Sequence, residues 1–112
     1  MDPLNLIVTA VVTGSTVGLH HTTAAAVKDA YRALKHYFLE RYTGTEVLDA
    51  VQSVEGKPRS EARQALLREE LAQVGAHRDE ELVHAAQAFL IKADPYGAEA
   101  GKYHVEDVTA DP

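Results

Sequence analysis

From Pro3 to Val27 the chain carries no Asp, Glu, Lys or Arg. Leu4, Leu6, Ile7, Val8, Val11, Val12, Val17 and Leu19 make the stretch apolar, and Thr9, Thr13, Ser15 and Thr16 interrupt it. Asp2 followed by Pro3 starts a helix here: the carboxylate can accept from free first-turn amides, and proline's fixed φ suits the first helical position. A secretory signal peptide needs a positive n-region, whereas the charged side chain ahead of this stretch is Asp2, so none is expected. A helix over residues 3–19 would extend about 25 Å, short of the roughly 30 Å hydrocarbon core of a bilayer, and its hydroxyls dilute it further. The segment is therefore not a standing transmembrane span, but it could insert if something drove it.

Within the stretch Ala10, Gly14 and Gly18 recur every four residues and form a strip without bulky side chains along one side of a helix. In lipid such strips let backbones approach closely. In water each glycine destabilises a helix by about 1 kcal/mol relative to alanine, so something other than propensity accounts for them. Two readings stand: a glycine zipper used in membrane assembly, or close helix packing in a soluble core, with Gly18 simply ending the helix.

The rest of the 112 residues reads as helices with short breaks. Thr22 or Thr23 can cap a second helix running to about Tyr42, with Val27, Tyr31, Leu34 and Phe38 as its buried stripe, and Gly44 ends it. Thr45 can cap a short helix with Val47, Leu48 and Val51 inward, before a loop at Glu55-Gly56-Lys57-Pro58. Ser60 caps a helix facing Leu67, Leu71 and Val74 inward and stopped by Gly75. Asp79 opens a last helix with Leu82, Val83, Ala86, Phe89 and Leu90 inside, closed by Asp94-Pro95 and Gly97. Residues 102–109 alternate weakly and suggest a short strand or an ordered tail. The expected fold is all-α: an antiparallel four-helix bundle over residues 1–97 with one short extra helix, then an acidic tail or linker over 98–112.

Chemistry is hard to find in this pattern. The net charge of −6 argues against a nucleic-acid binder, and the absence of cysteine removes disulfides, cysteine zinc sites and thiol nucleophiles. Glu81 and His84 have the E-x-x-H spacing of di-iron bundles, but a second such pair is missing. His77 is one heptad from His84 and could share a metal with it and Glu80 or Glu81, although histidines on an acidic helix are usually just solvated. His20 and His21 point about 100° apart on a helix and cannot chelate together. No phosphate-cradling glycine motif or nucleophile elbow occurs. No enzyme activity, cofactor or metal is therefore expected. Lys28, Arg32 and Lys35, at i, i+4 and i+7, form one basic strip: a solvated face, or a contact for anionic lipid headgroups.

The opening MDPLNLIVTAVVTGSTVGL, then AVKDAYRALKHYF and AAQAFLIKADPYGAEAGKYHV, resembles the short actinobacterial proteins that carry a Bell domain, the bacterial analogue of the fungal HeLo and HeLo-like cell-death domains. The resemblance covers essentially the whole chain. It implies a four-helix bundle that executes programmed cell death when an N-terminal apolar segment is released and permeabilises the membrane. It also implies an amyloid signalling motif through which an NLR-like receptor drives assembly; the Gly-, Asn- and Val-rich segment expected of that motif is not found up to Pro112. The matching positions are Leu4, Leu6, Ile7, Val8, Val11 and Val12 with the small Ala10, Gly14 and Gly18.

The expected function is a non-enzymatic effector, cytoplasmic at rest and at the plasma membrane on activation, with lipids and its own copies as partners and no nucleic acid. The alternatives are a helical adaptor or oligomerisation module without membrane activity and, more remotely, a small metal-binding bundle.

Overall fold

A computed structural model describes residues 1–17 and 23–105. Its elements are α1 (Pro3–Val17), α2 (Ala25–Tyr42), α3 (Val47–Gly56), α4 (Glu61–Gln73), a 3-10 turn (Ala76–Arg78), α5 (Glu80–Ala93) and α6 (Pro95–Glu99). Among the described residues there is no strand.

Local chemistry sets most helix boundaries. Asp2 Oδ1 accepts from the Leu4 amide at 2.8 Å, which opens α1 as its Asp-Pro start requires. Ser60 accepts from the Arg63 amide at 3.3 Å, Asp79 from Leu82 at 3.2 Å and Asp94 from Gly97 at 3.1 Å. Gly44 and Gly75 end α2 and α4 with φ of 89° and 71°, a region open to glycine without a Cβ penalty. The start of α2 departs from expectation. Its N-cap is Ala24, with no side-chain cap, and the Thr23 hydroxyl donates instead to the Val17 carbonyl at the end of α1. Thr22 lies outside the described residues.

The uncharged α1 is the middle of the fold, packed against α3, α4 and α5, while α2 closes the structure against α5 and α3. The short extra helix expected beside a four-helix bundle is a full member of this core: α3 buries Val47, Ala50, Val51 and Val54 and packs against both α1 and α4. A central helix buried on several sides needs more than two neighbours, and α3 joins α4 and α5 around it. Leu82, Val83, Ala86, Phe89 and Leu90 of α5 are all buried, as their spacing indicates, as are Leu67 and Leu71 of α4. On α2 only Leu34 and Phe38 of the expected stripe are fully buried; Val27 and Tyr31 are half-buried, so its first turns stand slightly off the core.

The boundary expected at residue 97 falls inside α6, and the core extends past it. Tyr103 is 3% exposed, its hydroxyl donates to Asp94 Oδ2 at 2.7 Å, and Gln87 Nε2 donates to its carbonyl at 2.9 Å. An aromatic ring with a polar tip can anchor a segment whose other residues are polar. Residues 102–105 form turn and irregular backbone rather than a strand, and 106–112 lie outside the described residues.

Candidate functional site

The sequence points to two groups of residues, and the structure makes them adjacent. The first is the apolar strip of α1. Leu6, Ile7, Val8, Ala10, Val11 and Gly14 are buried, while Leu4 and Val12 are half-buried against the same core. Gly18 lies outside the described residues. Burying side chains the size of Leu6, Ile7, Val8 and Val11 contributes about 1.5–3 kcal/mol each, and together they approach the about 5–15 kcal/mol that holds a domain folded. α1 is thus not a flap resting on a finished bundle; withdrawing it removes the centre of the core. None of the described helices is long and apolar enough to cross a membrane.

Three polar side chains fasten the start of α1. Arg68 of α4 donates through Nη2 to Asp2 Oδ2 at 2.9 Å and through Nη1 to Asn5 Oδ1. The hydrogen bond from Arg68 holds the Asp2 carboxyl below its ordinary pKa, against a smaller opposing effect of burial. The pair is well exposed, so it registers the helix more than it stabilises it.

At the other end of α1, Gly14 faces α2. A Cβ at position 14 would overlap Cδ1 and Cε1 of the Tyr31 ring. Here the glycine provides close packing, the water-soluble of the two readings that its spacing allows. The Tyr31 ring also tilts against Phe89 of α5, with centroids 5.4 Å apart. Its hydroxyl donates to Glu55 Oε2 at 2.8 Å, and Lys35 Nζ lies 3.0 Å from that same oxygen. Burial, reinforced by the charge of Glu55, pushes the phenol well above its ordinary pKa, so it stays a donor. Tyr31 therefore touches α1, α3 and α5 from α2.

Beside this contact opens a cleft of about 250 Å³. Its apolar wall is Gly14, Val17, Val27, Tyr31 and Phe89, and its rim is Lys28, Arg32 and Lys35. The basic strip read from α2 thus borders the apolar wall of this cleft. Arg32 pairs with Asp29 at 3.0 Å on the solvent side, Lys35 with Glu55, and Lys28 has no ion pair among the described residues. Phe89 and Glu55 belong to this site and had no signal as such in the sequence, where Phe89 is one core residue among five on α5 and Glu55 falls in an expected loop.

The other titratable candidates are dispersed. Glu81 is held by Arg41 Nη2 at 2.7 Å, and His84 is exposed on α5. His77 sits in the 3-10 turn with a buried Nδ1 that lacks a partner among the described residues. His20 and His21 lie outside the described residues. Among the described residues no three His, Asp or Glu side chains converge. Arg41, Tyr42 and Asp79 form a separate structural cluster: the Tyr42 hydroxyl donates to Asp79 Oδ2 at 2.9 Å and Arg41 Nη1 to Asp79 Oδ1 at 2.7 Å, tying α2 to the start of α5.

A family model described as the Het-E N-terminal domain matches residues 1–110. No curated protein and no solved structure matches the chain.

Proposed function

The chain belongs to the Het-E N-terminal domain family, and on that premise we propose that it is a cell-death effector domain of the heterokaryon-incompatibility type, related to the fungal HeLo domains and acting on membranes. The observation that carries the reading is the position of α1. An uncharged helix that buries Leu6, Ile7, Val8 and Val11 in the core can exchange that core for lipid, because both environments remove the same surface from water.

In this reading the resting protein stores α1 in the bundle. Release costs most of the folding free energy, so it has to be offset by many copies crowding at a membrane, where inserted helices pair through Ala10, Gly14 and Gly18 and weak contacts become avid. The Bell-type arrangement, in which an NLR-like receptor supplies the crowding through an amyloid signalling motif on a neighbouring segment, fits this requirement. Lys28, Arg32 and Lys35, next to the end of α1, attract anionic headgroups. A helical adaptor is the second reading, favoured by Leu39, which is 55% exposed beside a groove formed by Phe38, Leu48 and Val51 of α2 and α3.

The test tethers α1. The chain has no cysteine, so Asp2→Cys with Arg68→Cys can be bridged by a short reducible bis-maleimide. Fused to a polymerising module after residue 112, the bridged protein should leave anionic vesicles intact, and reduction of the bridge should restore dye leakage. Equal leakage with the bridge closed would overturn release of α1 as the route to the membrane, and no leakage from either form would favour the adaptor.

A further inference from the structure

We propose that the cleft between the C-terminal end of α1 and the first turns of α2 binds a single-chain anionic amphiphile, with the alkyl chain against Val17, Val27 and Tyr31 and the acid head on Lys28 and Arg32. The wall is apolar for a specific reason. Tyr31 turns its hydroxyl to Glu55, which leaves the ring as the surface facing the cleft. The volume of about 250 Å³ lies just below the range that encloses drug-sized ligands, so it suits a slender chain and not a fused-ring cofactor.

Charge selects the head. Three cations border the cleft, and the acids near them are Asp29 and Glu55. Glu55 is shared between Tyr31 and Lys35 and holds Lys35 back. Asp29 meets Arg32 in an exposed i, i+3 pair, which an anion displaces at little cost. Lys28 has no such competitor among the described residues and lines the same opening. An inorganic anion alone would leave the apolar wall in water, and a neutral alkyl chain would leave the cations unused. A molecule with both parts satisfies the whole site. A dissolved amphiphile would occupy the cleft without any bilayer, so the proposal does not rest on the membrane reading.

The probe is decyl phosphate below its micelle concentration, added to the full chain and followed by calorimetry and by methyl NMR shifts of Val17 and Val27. One-to-one saturable binding is expected, with decanol and inorganic phosphate each at least about tenfold weaker. Lys28→Gln should weaken decyl phosphate about tenfold, whereas Lys92→Gln, exposed on α5, should leave it unchanged. Absence of saturation, equal binding of decanol, indifference to Lys28→Gln, or shifts centred on Leu39 and Leu48 would each refute the proposal. Vesicle leakage is read separately: leakage without decyl phosphate binding removes the cleft ligand alone, and binding without leakage removes the membrane reading alone.

Discussion

The ring of Tyr31 fills the space that a side chain at position 14 would need, so α1 and α2 meet at a glycine and a tyrosine that fit only as a pair. This contact joins the helix that forms the middle of the core to the helix that carries the basic strip. It makes the first prediction a matter of sign. In an exposed helix, Gly→Ala stabilises by about 1 kcal/mol. Here the added methyl meets an aromatic ring wedged against Phe89, and overpacking of this kind costs about 1–3 kcal/mol. Gly14→Ala should therefore lower stability in urea unfolding, and in the Tyr31→Ala background it should not, giving a coupling energy of about 1 kcal/mol or more in the double-mutant cycle. A stabilising Gly14→Ala in the parent would mean that the ring moves freely.

Acid should loosen the start of α5. Burial tends to raise the pKa of Asp79, but hydrogen bonds from the Tyr42 hydroxyl, the Leu82 amide and Arg41 outweigh it and leave the carboxyl below its ordinary value. A depressed carboxyl contributes stability above its unfolded pKa and loses that contribution as pH falls through the folded one. Asp79→Asn should cost about 1–2 kcal/mol at pH 7, and the cost should shrink as pH falls through the depressed pKa of this carboxyl, with a pH series of thermal melts reporting the difference.

Weakening the socket rather than the helix should make activation easier. Leu71 of α4 is fully buried, and Leu71→Ala should cost about 2–5 kcal/mol while leaving the sequence of α1 intact. If storage of α1 in the core is what restrains the protein, the concentration giving half-maximal leakage from anionic vesicles should fall. An unchanged or higher threshold in a variant that remains helical would place the restraint elsewhere.

The basic rim should act on membranes through charge. Lys28→Gln with Arg32→Gln removes two cations, each contributing about 1 kcal/mol near an anionic surface, so vesicle partitioning should drop roughly thirtyfold at low salt. The difference should shrink as salt rises and should be absent on neutral vesicles. Sedimentation with vesicles of both compositions checks all three statements.

At alkaline pH the bundle should open as its tyrosines ionise. Burial first, and then the hydrogen bond to an aspartate, pushes both Tyr42 and Tyr103 up to about 12. A phenol with a raised folded pKa gives stability that is complete below pH 10 and lost as pH climbs toward 12. Unfolding followed by circular dichroism should coincide with the tyrosinate absorbance of these residues, and Tyr103→Phe should reduce the steepness of the loss.

Much of the fold was readable in local patterns. The Asp2-Pro3 start, the caps at Ser60 and Asp79, the glycine at 75 and the buried face of α5 depend on residues within a few positions of one another, and spacing reports such neighbours faithfully. The role of α3 was not readable, because ten residues with only a few small or branched apolar side chains look like an accessory helix until a central helix needs a third neighbour. Nor was the cleft, which combines Gly14, Lys28 and Phe89 from three helices. The strip Ala10, Gly14 and Gly18 fits lipid and core equally well in the sequence, because both demand small residues for close approach; the Tyr31 ring decides the use of Gly14 in this state of the protein.

Short stretches of chain dictate that the apolar side chains of α1 leave water and where α1, α4 and α5 start, since burial of uncharged apolar residues and capping of free amides are local properties. What hides α1 depends on contacts distant in the chain. It is enclosed by three neighbouring helices, pinned to Arg68 at one end and fitted to Tyr31 at the other, because side chains distant in the sequence meet only when packing selects one arrangement of helices out of the many that the same stripes allow.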